Sequence, residues 1–102
     1  MRAVKQISAE DFVGLLKSGA HVFDTRTEAQ FERDGLPDSR LLSLEQVQAG
    51  ELPELAKGDS LYLICERGQV SELVGLYLEA AGFSQVYNVA GGFRALRALE
   101  KS

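Results

Sequence analysis

The chain has 102 residues, 11 basic and 15 acidic for a net charge of −4, 45% hydrophobic residues and one cysteine. This length and apolar content predict one folded domain over residues 1–102 and exclude a disordered chain, while the acidic balance argues against a nucleic-acid surface. One cysteine excludes an intrachain disulfide and a cysteine-cluster metal site, and the absence of disulfides fits a reducing compartment.

Taken in order, Val4–Ile7 reads as a short strand. Ser8 is an N-cap, with Glu10 and Asp11 placed to favour the positive helix end. The helix it starts runs to about Lys17, with Ala9, Phe12, Val13 and Leu16 on one face, and ends at Gly19. The segment has no long apolar stretch before its acids, so it is not a secretory signal; nor does any apolar run approach the ~18 residues of a membrane span. A cytoplasmic location is expected.

Ala20–Asp24 reads as the second strand, followed by a helix over Thr27–Arg33 with Phe31 inward and a Gly-Pro-Asp loop over Asp34–Ser39. Arg40–Leu42 is a third short strand. Ser43 caps a helix from Leu44 to about Leu55, which Gly50 and Pro53 make irregular. Ser60–Cys65 is the clearest strand, and its continuous apolar core Leu61–Ile64 suits a sheet covered on both faces. In the helix that follows, Val70, Leu73, Val74, Tyr77, Leu78 and Ala81 recur at three-four spacing and predict the buried stripe. Gln85–Val89 is a fifth strand, Ala90–Gly92 a tight loop, and Phe93–Glu100 a last helix with Phe93, Leu96 and Leu99 as its apolar side.

Strand alternating with helix implies an α/β fold: a small three-layer α/β/α domain with a mostly parallel five-stranded sheet. Ligands of such sheets bind beyond the carboxyl ends of the strands. Asp24, Cys65 and the Ala90–Gly92 loop all fall at such ends.

Cys65 is the candidate nucleophile. A helix N-terminus favours the thiolate, because its free amides and dipole stabilise negative charge. The loop Glu66, Arg67, Gly68, Gln69, Val70, Ser71 is able to curl around the sulfur, with Gly68 supplying backbone freedom and Ser71 a hydroxyl donor. Arg67 adds a mobile cation for an incoming oxyanion, and Glu66 is expected to face solvent. Such a cup suits a thiolate, a persulfide or a bound oxyanion. The competing reading is that Cys65 is only a small hydrophobe at a strand end. A cysteine-dependent phosphatase is excluded, since the arginine it needs six residues after the nucleophile is Ser71 here. His21, the one histidine, lies at the opposite end of its strand and is read as a surface residue rather than a base. Asp24 and Arg26 are read as a helix cap and a structural ion pair supporting the site, with Arg26 pairing Glu28 or another loop acid. Gly91 and Gly92 either bring the backbone close to the site or simply turn the chain.

With those residues placed, the chain closely resembles the rhodanese-like sulfurtransferase family, single-domain type. The resemblance rests on Asp24-Thr25-Arg26 followed by Phe31, on the loop Asp34–Ser39, on Cys65 with Gly68 three and Ser71 six residues on, and on Gly82-Phe83, Val86-Tyr87 and Val89-Ala90-Gly91-Gly92-Phe93. It implies that Cys65 takes the outer sulfur of thiosulfate or a persulfide donor and passes it to cyanide or a thiol, through a Cys65 persulfide held by the loop amides. It implies no metal or organic cofactor, and small anionic donors, thiol or cyanide acceptors and possible sulfur-relay proteins as partners. Many members have arginine where this chain has Val70, and histidine-isoleucine where it has Gly35-Leu36. Two other roles share these residues: a non-catalytic module binding an anion or peptide, and a protein persulfide relay carrier.

Overall fold

The computed structural model describes residues 4–101, so that residues 1–3 and 102 of the expected domain lie outside the described residues. Strands β1 (Lys5–Ile7), β2 (His21–Asp24), β3 (Arg40–Leu41), β4 (Ser60–Ile64) and β5 (Gln85–Val89) form one sheet in the order β1-β5-β4-β2-β3, every pair parallel. Helices α1 (Ala9–Leu15), α2 (Glu28–Asp34), α3 (Leu44–Gln48), α4 (Gln69–Ala80) and α5 (Gly92–Glu100) connect and follow the strands. The fold is α/β, as the alternation of elements predicts.

Side chains alternate across the sheet and build two cores. Leu61 and Leu63 of β4, Phe23 of β2 and Val86 of β5 pack with Val74 and Leu78 of α4 and Val47 of α3. Ile64, Val22 and Val89 point the other way, against Phe12 of α1 and Phe93 of α5. Central β4 therefore reads as a continuous apolar run because both of its faces are covered.

The chain leaves β2 toward β3 on one side and leaves β4 toward β5 on the other. The carboxyl ends of these adjacent strands mark the switch point at which such sheets open a crevice. Asp24 pairs with Ile64 in the register, so the residues that follow, Thr25-Arg26 and Cys65-Glu66, emerge side by side. Thr25 fixes that point by donating from its N–H and its hydroxyl to the Ile64 carbonyl, at 2.9 and 3.1 Å.

Several local expectations are corrected. The first helix ends at Leu15 and tightens into a 3-10 turn over Leu16–Ser18; Ala9 and Phe12 are buried, whereas Val13 and Leu16 are exposed. The third helix stops at Gln48, and Gly50 follows at a φ of 93°. Helix α4 buries Ser71, Val74, Gly75 and Leu78, leaving Val70, Leu73 and Tyr77 exposed, contrary to the stripe expected from spacing. Gly75 explains the choice of face: a Cβ there would lie 2.8 Å from Val4 Cγ2 and 3.3 Å from Val86 Cγ1, so the helix rests directly on the sheet. Leu63 is fully buried in the centre of this face. Leu63→Ala is expected to cost about 2–5 kcal/mol through lost burial and a residual cavity, read as a lower urea midpoint at unchanged m-value.

Candidate active site

Cys65 directly follows β4 and is buried, with only 3% of its surface accessible. Its carbonyl accepts the Phe93 N–H at 2.9 Å, and the Glu66 carbonyl accepts the Arg94 N–H at 3.0 Å, so the first turn of α5 is docked on the start of the loop. Gly92 makes this approach possible, since a Cβ on it would stand 2.0 Å from the Cys65 carbonyl oxygen. Gly68 turns the chain into α4 at a φ of 89°, with Gly91 N only 3.0 Å from where its Cβ would be. The two glycine turns thus pack against each other, which gives Gly91 and Gly92 a place in the site beyond reversing the chain.

The sulfur sits at the head of α4. Cys65 Sγ accepts the Gly68 N–H at 3.0 Å and the Ser71 N–H at 3.3 Å, with Ser71 Oγ also at 3.3 Å. Gly68, the N-cap residue, has no side chain to cap the helix. One of the amides that a helix N-terminus leaves unpaired is instead satisfied by sulfur. Ser71 Oγ also makes a close hydrogen bond to Asn88 Oδ1. Asn88 is oriented by donating from Nδ2 to the Gly68 carbonyl at 3.1 Å and to Gln6 Oε1 at 2.9 Å. A hydroxyl has one proton. It can be donated to Asn88 Oδ1 or to sulfur, but not to both at once.

Beside the loop, Arg26 is buried and forms a bidentate pair with Asp24: Nε donates to Oδ1 at 3.1 Å and Nη2 to Oδ2 at 2.9 Å. Asp24 Oδ1 also accepts the Arg26 N–H at 2.9 Å, and Asp34 lies 2.9 Å from Nη2. The guanidinium stacks 3.9 Å over the Phe93 ring. Burial opposes the Arg26 charge, yet its bonds to Asp24 and Asp34 outweigh burial and raise its pKa. Burial likewise opposes the Asp34 carboxylate, but Arg26 holds its pKa below the usual range. Of the two partners expected for Arg26, Glu28 or another loop acid, the structure has the loop acid, Asp34, beside the Asp24 pair. The helix cap is Thr27, which forms a capping box with Gln30, and not Asp24.

Glu66 does not simply face solvent. Both of its oxygens accept from Arg97 of α5, Oε1 at 3.0 Å and Oε2 in a closer contact. Oε1 also stands 3.7 Å from Arg26 Nη1, an atom with no hydrogen bond of its own among the described residues. The hydrogen bond from Arg97 is the main reason that the Glu66 pKa is lowered. Arg67 is exposed. It lines, with Cys65, Gln69 and Val70, a cavity of about 690 Å³ that extends across Arg26 and Gln30 to Glu45 and Glu51 beside α3. His21 is exposed. Among the described residues no group of three His, Cys, Asp or Glu side chains is placed to hold a metal ion.

The sequence matches the rhodanese-like domain family over residues 8–99. The chain belongs to the rhodanese-like domain family. It is 34% identical over 97 residues to a thiosulfate sulfurtransferase GlpE of Pseudomonas syringae pv. syringae, covering 95% of this chain and 91% of the relative. Among solved structures, a rhodanese homolog from the extreme thermophile Thermus thermophilus is 34% identical with a TM-score of 0.71, covering 90% of this chain and 100% of that one. A rhodanese-like domain protein from Staphylococcus aureus is 27% identical with a TM-score of 0.80, covering 91% of each chain.

Within this rhodanese-like domain, the sequence names Thr25 and Asp34 only as parts of a motif and a loop, and offers no role for Asn88 or Arg97. Asn88 carried a readable signal, a fully polar residue between Tyr87 and Val89 near the carboxyl end of its strand. Arg97 carried none, being 31 residues from Glu66. The Arg97 tether also makes a pH-dependent contribution. A carboxylate with a depressed folded-state pKa stabilises the fold above its ordinary value of about 4.3, and that stability is lost as pH falls through the lower folded-state value. Arg97→Ala is expected to lower the urea midpoint at pH 7, with the gap to the unmodified protein closing on acidification from pH 7 toward pH 3.

Proposed function

We propose that this rhodanese-like domain is a thiosulfate sulfurtransferase that carries sulfane sulfur as a persulfide on Cys65. The observation that carries the reading is the position of Sγ, which accepts from two N–H groups, with the Ser71 hydroxyl beside it, in the lining of an open cavity. Its similarity to GlpE thiosulfate sulfurtransferases supports the choice of donor.

The Cys65 thiolate attacks the outer sulfur of the donor. For thiosulfate, the S–S bond breaks and sulfite leaves with its electron pair. The negative charge moves from Sγ to the outer sulfur of the persulfide, and the donors around the loop stabilise it as an oxyanion hole stabilises oxygen. Cyanide or a thiolate then attacks that outer sulfur, and Cys65 leaves as the thiolate. The cycle has no net redox change and calls on no metal, organic cofactor or histidine base. A reducing, cytoplasmic setting suits a chain that works through a free thiol.

Arg67 is the cation assigned to the anionic donor. Val70 stands exposed at the cavity edge where many members have arginine, and Arg26 is already engaged by two aspartates. Gly68 and Ser71 hold the sulfur; Glu66, Gln69 and Val70 shape the mouth. Asp24 and Arg26 brace it from β2, and Gly91 and Gly92 from α5.

Intact mass after incubation with thiosulfate is expected to rise by one sulfur atom, to fall back on adding cyanide, and to stay unchanged in Cys65→Ser. No adduct from thiosulfate or from any persulfide donor would overturn the enzyme and leave an anion- or peptide-binding module. Arg67→Ala is expected to raise KM for thiosulfate by up to about tenfold, the scale of one exposed charge contact, with the persulfide yield at saturating donor unchanged; identical steady-state kinetics would remove Arg67 from donor binding.

A further inference from the structure

Helix α4 exposes four large apolar side chains: Val70 at 42%, Leu73 at 43%, Leu76 at 48% and Tyr77 at 40%. Val70, Leu73 and Tyr77 follow the three-four spacing and form one stripe. The stripe lies on the flank of α4 that meets α3, where Gln48 Nε2 donates to Tyr77 Oη at 3.3 Å. Its first member, Val70, lines the cavity that holds Cys65. An apolar band of this kind on a soluble surface marks a contact site.

The charges around the band select what covers it. Glu45 and Glu51 stand on the α3 wall of the cavity, and exposed Glu72 lies in the first turn of α4; Arg67 is the opposing cation. A second copy would bring the same acidic rim against itself, because a two-fold interface matches like patches. An anionic lipid surface would be repelled in the same way. A segment with apolar side chains flanked by lysine or arginine is matched on both counts.

We infer that the exposed face of α4 is the docking site for a protein segment of that chemistry, one that presents a cysteine to Cys65 and takes the sulfur from it. This rests on the sulfurtransferase reading above and names its acceptor. The partner thiolate, having released its proton to solvent, attacks the outer sulfur of the Cys65 persulfide. The bond between Sγ and that sulfur breaks, Cys65 leaves as the thiolate, and the partner cysteine becomes the persulfide, with no net oxidation.

Three synthetic peptides of about a dozen residues, the reach of three or four helical turns, test it. Each carries one cysteine: the first with leucines and lysines, the second with every lysine changed to glutamate, the third with every leucine changed to serine. Binding is read by fluorescence anisotropy on the Cys65→Ser protein, which separates docking from chemistry. Sulfur transfer is read by mass on protein preloaded with persulfide. The basic apolar peptide is expected to bind at least about tenfold more tightly than either control, a difference of ~1.4 kcal/mol, and to be the preferred acceptor. The double substitution Leu73→Ser, Leu76→Ser is expected to abolish both preferences while transfer to cyanide is unchanged.

Equal binding of the three peptides, or a preference that survives the double substitution, overturns the inference. So does sedimentation of the unmodified protein as a dimer that the double substitution dissociates, since a second copy then covers the band. If Cys65 takes no sulfur from any donor, the function falls, while the anisotropy still decides whether α4 docks a basic apolar segment.

Discussion

The structure turns on a sulfur atom used as a helix cap. Helix α4 begins at a glycine that has no side chain to offer its free amides, and Cys65 Sγ takes the place of the missing oxygen acceptor. A neutral thiol is a weak acceptor, whereas an anionic sulfur is a strong one. The same contacts that complete the fold are the ones the proposed persulfide chemistry draws on.

Helix α5 supplies the other half of the arrangement. It too begins at a glycine without a capping side chain, and its Phe93 and Arg94 amides go to the carbonyls of Cys65 and Glu66. The residue that accepts through its side chain for α4 accepts through its backbone for α5. Arg97, one turn further along α5, ties the Glu66 carboxylate down. Phe93 covers the buried guanidinium of Arg26, whose charge is tolerated only because Asp24 and Asp34 surround it. Removing Asp24 would leave that charge buried and under-compensated, a far larger loss than that of an exposed ion pair. Loop, helix and ion pair therefore hold one another in place, and none of them is fixed by its own local sequence.

That interdependence sets what is legible in the chain. The alternation of strand and helix, the central position of β4 and the placement of Cys65, Asp24 and the Gly91-Gly92 turn at strand ends follow from local patterns of apolar and turn-forming residues. So does the parallel direction of the sheet, but the strand order β1-β5-β4-β2-β3 does not, because pairing is chosen by contacts between distant segments. At the site, the loop from Glu66 to Ser71 announces itself through Gly68 and the helix that follows. The partners that orient it, Asn88 for Ser71 and Arg97 for Glu66, come from other elements. For Glu66 this adds to the local expectation: the side chain does face solvent, 39% exposed, and becomes a tether as well once α5 brings an arginine to it.

The rotation of α4 shows the same logic acting on a whole helix. Hydrophobic spacing alone gives Val70, Leu73 and Tyr77 as strong a claim to the core as Val74 and Leu78. Two constraints decide between these faces. Ser71 must turn inward to bring its amide and hydroxyl to sulfur, and Gly75, one turn on, is the position at which the helix can rest on Val4 and Val86 without a side chain between. Residues four apart share a face, so placing Ser71 and Gly75 inward fixes the helix about its axis. Val74 and Leu78 go in with them, and the apolar residues at 70, 73 and 77 are carried outward, Val70 to the edge of the Cys65 cavity. The exposed band is therefore a consequence of how the sulfur is held. Polar side chains at these positions would leave this core intact, so the core does not account for the apolar band, and a covering segment would.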